Sequence, residues 1–259
     1  MPELPDVEGF RRRFERLAKG RTVARVDVEA RGRMLLAPES AVRSALRGRR
    51  LGATRRIGKW MFAKAGGDLW LALHFGMTGD VEEVGERDPP YARLVLRFRG
   101  GGGVAFTDPR RFGRIALAAS PEAFADEHGL GPDAMELTER AFLRRIEGRR
   151  VGAKALLLDQ GVLAGVGNLW ADEALWQARI HPATRVEDLE DEARRRLFRA
   201  MRSALRRALR KPGDYEALPR TWLLPHRRVG GRCPRCGERL APGAVAGRTT
   251  FWCPKEQRR

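Results

Sequence analysis

Apolar positions at the start of the chain recur at steps of three and four. Leu4, Val7, Phe10, Phe14 and Leu17 fall on one face of a helix over residues 4 to 17. Pro2 and Pro5 suit its entry, and acids in a first turn suit the helix dipole. From about residue 22 to 118 the period shortens. TVARVDVEA, WMFAKA, DLWLALHFG, ARLVLRFRG and GVAFTD are short, β-rich and separated by Gly-rich turns. They predict a β-sandwich or barrel with the first helix packed against it, and the glycines at 100 to 103 read as a plain hairpin turn. At about 129 the pattern shifts again. GLGPDAMEL reads as a linker, and RAFLRRIEG, GAKALLLDQ, NLWADEALWQA and DLEDEARRRLFRAMRSALRRAL then carry helical spacing. The last of these places Leu189, Leu197, Met201, Leu205 and Leu209 on or near one face, with Arg on the others. A Gly- and Pro-rich run leads to a cysteine-bearing tail, and there is no internal repeat. The pattern predicts a multi-domain α+β chain: a β-sandwich with flanking helices at 1–128, a helical domain at 129–225 and a small β-hairpin at 226–259.

Charge narrows the function. The 259 residues carry 51 Lys plus Arg against 33 Asp plus Glu, a net charge of +18. The basic residues are mostly Arg. Such a surplus suits a polyanion, because each neutralised phosphate releases a condensed counterion; the competing explanation is a high-GC codon preference for Arg. No run approaches the roughly 18 apolar residues of a membrane span, and the N-terminus lacks the order of a signal peptide. The expectation is a soluble cytoplasmic, nucleoid-associated monomer.

Four stretches carry candidate chemistry. CPRC at 233–236 is followed, after sixteen intervening residues, by Cys253. A zinc ribbon has this spacing with a fourth Cys; here CPKE supplies Glu256 instead. A zinc ion held by Cys233, Cys236, Cys253 and Glu256, or by a nearby group such as His226, competes with a metal-free hairpin. In either case GRTTFW forms a hairpin that offers Arg248 to DNA. TDPRRFGR at 107–114 sets Arg110 and Arg111 beside Phe112, a pairing that suits a wedge in a duplex but equally a core Phe with solvated Arg. GVGNLW places glycines and Asn168 before a helix, where backbone amides hold phosphate, although most such turns are ordinary. Lastly, Met followed by Pro favours removal of the initiator Met. Pro2 would then carry an α-amino group of pKa roughly 7.7–8.0 against about 10.4 for Lys. That amine is nucleophilic at neutral pH and forms an iminium on attacking carbon, with Glu3 beside it to move protons.

Together, PELPDVE (2–8), GKWMF (58–62), HFGMTG (74–79), TDPRRFG (107–113), AKALLLDQ with GVGNLWADEALW (153–176) and the cysteine tail resemble the formamidopyrimidine-DNA glycosylase and endonuclease VIII family of base-excision repair enzymes. The match covers nearly the whole chain in order. The resemblance implies an N-terminal β-sandwich, a helix–two-turn–helix domain and a C-terminal zinc finger, acting as a bifunctional glycosylase and abasic-site lyase on damaged double-stranded DNA. By position it implies Pro2 as Schiff-base nucleophile, Glu3 as its acid–base partner and Lys59 on the phosphate beside the lesion. Met77, Arg110 and Phe112 would fill the gap left by a flipped nucleotide, with Arg111 a second option for the Arg. Lys154, Asn168 and Arg248 would contact phosphates.

Three features depart from that pattern. Asp6 replaces a Glu one methylene longer, and Glu256 replaces the fourth Cys. KPGDYEALPRTWLLPHRR is shorter than the loop that closes over 8-oxoguanine in formamidopyrimidine-type enzymes. The lesion therefore stays open among oxidised pyrimidines, ring-opened purines, abasic sites and bulky adducts. The competing reading is a catalytically inactive binder of damaged DNA on the same fold.

Overall fold

Helix α1 spans Leu4–Ala18 and buries Leu4, Pro5, Val7, Phe14 and Ala18, the apolar face that the three-four spacing defines. The backbone N–H of Glu3 donates to Asp6 Oδ2 at 2.8 Å, closing a capping box at the helix start. The shorter acid at position 6 therefore still reaches its partner. The computed structural model describes residues 1–258, and the chain divides into two compact units, Met1–His128 and the residues from Gly129 onward.

The first unit is a two-sheet sandwich. After α1 come β1 (Val23–Val28), α2 (Glu39–Leu46), β2 (Thr54–Ile57), β3 (Trp60–Lys64), β4 (Trp70–His74), β5 (Asp80–Val84), β6 (Ala92–Phe98), β7 (Gly103–Thr107), β8 (Arg114–Ala118) and α3 (Pro121–Glu127). One antiparallel sheet has the order β2-β3-β4-β8 and the other β1-β6-β7-β5. Helix α1 touches β2 and β3 of one sheet and β5 and β7 of the other. Its Val7 and Phe14 join Met61, Leu71, Leu73, Val81, Leu96 and Phe106 in one core. Each such side chain, fully buried, contributes on the order of 1.5–3 kcal/mol, so the helix start is anchored rather than frayed.

The second unit holds α4 (Glu139–Ile146), α5 (Ala153–Leu158), α6 (Asn168–Gln177), α7 (Asp191–Ala208) and a hairpin of β9 (Ala241–Val245) with β10 (Arg248–Trp252). Ala246 and Gly247 both have positive φ, as a tight two-residue hairpin turn needs. The segment read as a linker is folded instead. Ala134 and Leu137 are buried, and the Ala134 N–H donates to Ala164 O at 2.9 Å. Its Gly and Pro come first, and the two apolar side chains that follow them pack it. Among the described residues no helix is long and apolar enough to cross a membrane.

Candidate active site and nucleic-acid interface

The antiparallel order of β2-β3-β4-β8 fixes what lies at one end of that sheet. Strand β2 ends at Ile57, β3 begins at Trp60, β4 ends at His74 and β8 begins at Arg114, with Ile57 paired to Trp60, Trp60 to His74 and His74 to Arg114. Three connections therefore gather there: the Gly58–Lys59 turn, the 75–79 turn with Met77, and the 108–113 turn with Arg110 and Phe112. Helix α1 runs alongside. Its contacts with β2 step in opposite directions along the two elements, with Arg11 Nη1 at 2.7 Å from Thr54 Oγ1 and Glu8 Oε2 at 3.4 Å from Arg56 Nε. Glu8, the nearer of the two to Pro2 and Glu3 in sequence, thus meets the β2 residue nearer the Gly58–Lys59 turn. Glu3 is buried, Pro2 and Lys59 are half-buried, and Met1 is exposed. Burial pushes the Glu8 carboxyl up, but Arg11, Arg12 and Arg56 outweigh it and hold it below the usual carboxylate range.

The 75–79 and 108–113 turns are locked backbone to backbone. Gly76 has φ +57°, and a Cβ there would lie 2.5 Å from the carbonyl carbon of Phe112. At Gly113 a Cβ would lie 2.5 Å from the Phe106 ring. Between the turns sits the fully buried Asp108 carboxylate. Its Oδ1 accepts from Thr78 Oγ1 at 2.6 Å and Arg110 N at 3.2 Å, and its Oδ2 accepts from Gly113 N at 2.7 Å. Apolar side chains are thereby held out in solvent: Met77 is 41% and Phe112 48% exposed. Arg110 stacks over Phe112, its guanidinium carbon 4.9 Å from the ring centroid. Arg111, with φ +58°, lines a separate cavity of about 810 Å³ with Arg25 and Tyr91. Burial, with the Lys59 and Arg114 charges, lowers the His74 pKa to about 4. A neutral ring at the base of the Met77 turn leaves Nδ1 free to accept from Gly76 N at 3.1 Å.

In the second unit Asn168 opens α6 behind Gly167, and its Nδ2 donates to Thr249 O at 2.9 Å. Arg248, next to Thr249, is exposed at the start of β10. These two are brought together. Lys154 requires a correction. It is fully buried, with Nζ 2.6 Å from both Asp172 Oδ1 and Thr250 Oγ1, so its ammonium is enclosed in protein and is not offered to a phosphate. A lone Lys in the apolar run AKALLL is the signal that could have shown this, since a buried charge demands a partner.

Cys233, Cys236 and Cys253 place their sulfurs within 4.8 Å of one another and form a cluster that could hold a metal ion. The assignment of Glu256 as fourth ligand is overturned. Its Oε2 sits 3.3 Å from Arg235 Nη1 and 3.4 Å from Arg179 Nε, because two guanidiniums compensate a half-buried carboxylate there. His226 Nε2 is likewise engaged, 2.7 Å from Arg220 O. Sequence reasoning missed Asp108, Asp172 and Arg227, which bind neighbouring backbone and side chains.

Known proteins match this chain over its length. Residues 1–115 match the family model described as the formamidopyrimidine-DNA glycosylase N-terminal domain, and residues 129–217 match the H2TH domain of the same enzymes. The formamidopyrimidine-DNA glycosylase of Roseiflexus sp. (strain RS-1) is 36% identical over 273 residues, covering 100% of both chains. A Lactococcus lactis formamidopyrimidine-DNA glycosylase, solved non-covalently bound to DNA containing an abasic site, superposes with a TM-score of 0.90 at 26% identity over 100% of both chains. So does MutM in complex with DNA containing carbocyclic 8-oxoguanine, at 0.90 and 26%. On these matches the chain belongs to the formamidopyrimidine-DNA glycosylase family.

Proposed function

We propose that the protein is a bifunctional DNA glycosylase and abasic-site lyase of base-excision repair, using Pro2 as its nucleophile. One observation carries the reading: Lys59, Met77, Arg110 and Phe112 lie on turns at one end of one sheet, and α1, which Pro2 and Glu3 precede, packs on strands β2 and β3 of that sheet. With Met1 removed, the Pro2 nitrogen attacks C1′ of the damaged nucleotide, the C1′–base bond breaks, and the base departs with the proton the amine gives up; the nitrogen lone pair then opens the C1′–O4′ bond, and O4′ takes a proton. The resulting iminium withdraws electrons from the sugar. A proton leaves C2′ and the 3′-phosphate is expelled, and a second elimination expels the 5′-phosphate. Glu3 is the group placed to take and return protons. Lys59 steadies the phosphate beside the lesion.

The wedge answers an energetic need. Extruding a nucleotide costs a few kcal/mol. An exposed Phe112, with Arg110 over its ring and Met77 on the adjoining turn, offers apolar surface to the gap and a guanidinium to the orphaned base. Asn168 and Arg248 supply phosphate contacts from the second unit. A damaged base or abasic site in duplex DNA, as in the complexes of its structural relatives, is the substrate class this supports. The domains fall as 1–128, 129–225 and 226–259.

The test is excision from a lesion-bearing duplex by Pro2→Gly and Glu3→Gln. Both variants should lose base release and strand cleavage. Excision at the wild-type rate in both would remove the site from this end of the sheet.

A further inference from the structure

A closed structural zinc site takes four ligands, almost always sulfur or nitrogen. Among the described residues only three thiols gather at the tail, and the carboxylate at the place of a fourth is committed to Arg179 and Arg235. The donor set fits three corners of such a site and does not fit the closed one. Something else must position the hairpin, because a two-stranded ribbon is marginal on its own.

We propose that two clasps, centred on Asp172 and Gln257, hold the β9–β10 hairpin against α5 and α6 in place of a closed metal site, so that its grip on DNA does not depend on a metal. The first clasp pins three successive residues of β10. Asp172, 1% exposed, accepts from Lys154 Nζ at 2.6 Å through Oδ1, and from Arg227 Nε at 2.7 Å and Phe251 N at 3.2 Å through Oδ2. Lys154 reaches on to Thr250 Oγ1 at 2.6 Å. Arg227 Nη2 and Asn168 Nδ2 donate to Thr249 O at 2.7 and 2.9 Å. One carboxylate thus ties two cations, and those cations tie the strand that begins with Arg248. Charge-assisted hydrogen bonds of this kind are about twice as strong as neutral ones, and here solvent is excluded from most of them.

The second clasp holds the other end. Gln257, 1% exposed, accepts from Cys253 N through Oε1 at 2.9 Å and donates through Nε2 to Ile180 O at 2.9 Å. Beside it Arg235 stacks on Trp176 at 4.1 Å and pairs with Glu256. The residue that departs from the ligand pattern is therefore itself part of the fastening. Between the clasps Trp176, Leu223, Leu240 and Phe251 pack with the three cysteines into a small core.

The consequence for DNA rests on the reading that Arg248 meets a phosphate, so the test separates the two. Amide hydrogen exchange of residues 241–258 and affinity for a duplex carrying a tetrahydrofuran abasic analogue are measured on the full chain. Both are taken before and after dialysis against EDTA and 1,10-phenanthroline, with zinc content read by mass spectrometry. Exchange and affinity should stay within about twofold after metal removal. Arg227→Gln should speed hairpin exchange tenfold or more, with or without chelator, while peptides of the first unit are unchanged; should that variant not fold, Gln257→Met should speed exchange at Cys253 in the same way. A tenfold rise in hairpin exchange on chelation alone, or variants that exchange like wild type, would overturn the proposal. Loss of DNA affinity on chelation with exchange intact would also overturn it, whereas an Arg248→Ala variant that binds the duplex like wild type would count against the role of Arg248 alone.

Discussion

Replacing Asp108 by Ala tests whether the wedge is a built structure. Its carboxylate is fully buried and receives three hydrogen bonds, from Thr78, Arg110 and Gly113. Hydrogen bonds to charged groups contribute about 1.5–3 kcal/mol each, and a buried donor left unpaired costs about 1–3 kcal/mol. The Arg110 N–H retains a second acceptor in Thr78 Oγ1 at 3.3 Å, so two bonds are lost outright. We expect a loss of about 3–6 kcal/mol on that count, moderated where water enters the vacated space. The readout is urea unfolding of the first unit, followed by hydrogen exchange of residues 104–115. Because Gly76 abuts Phe112 with no room for a Cβ, the freed 108–113 turn should carry the Met77 turn with it, and base excision should fall at least tenfold. A destabilisation below about 1 kcal/mol would mean that Asp108 does not hold the turns together, since that is less than one such bond.

Other outcomes follow from the same geometry. Burial depresses the His74 pKa to about 4, so the stability it contributes is present above its ordinary 6.5 and lost as pH falls toward 4; burial raises Glu173 to about 7, so its contribution is present below 4.5 and lost as pH rises through 7. The first unit should therefore weaken on acidification and the second on alkalinisation, each by up to about 3 kcal/mol; urea unfolding of Glu173→Gln from pH 4.5 to 7.5 should lose the alkaline slope, and an unchanged slope would contradict the assignment. Phe112→Ala, at a half-exposed position, should leave stability within about 0.5 kcal/mol yet cut lesion affinity severalfold; a variant binding lesion DNA as tightly as wild type would deny Phe112 the wedge. Between 50 and 200 mM salt, DNA affinity should fall steeply as phosphate contacts release counterions, and a flat dependence would remove Lys59, Asn168 and Arg248 as phosphate contacts.

What was legible in the sequence followed burial. The apolar stripe of α1 and the short apolar runs of β1, β3, β4, β6 and β7 are plain because α1 buries one face and β3, β4, β6 and β7 bury consecutive side chains on both faces. Strands β2, β5 and β8 were not recognised. All three are sheet edges, and TRRI and DVEEV bury one and two side chains apiece, too few for a period to show. The chemistry-bearing stretches were visible as short motifs, and the sheet order explains why they meet. Lys154 was misjudged because spacing gives residue type and helix face but not the partner: Asp172 lies on another helix, 18 positions on. Glu256 misled in the opposite way, since its place in the cysteine spacing was right for a ligand while two arginines, distant in sequence, had already claimed it.

In the proposed reaction a secondary amine at Pro2 forms a covalent bond to the sugar. The most direct measurement is borohydride trapping of tag-free protein, its N-terminus confirmed by intact mass, on an oligonucleotide with one abasic site. A covalent protein–DNA band that disappears in Pro2→Gly is expected. No band from protein that lacks Met1 and still binds the DNA would contradict it, and would mark this chain as a member of the family that recognises damage without cutting.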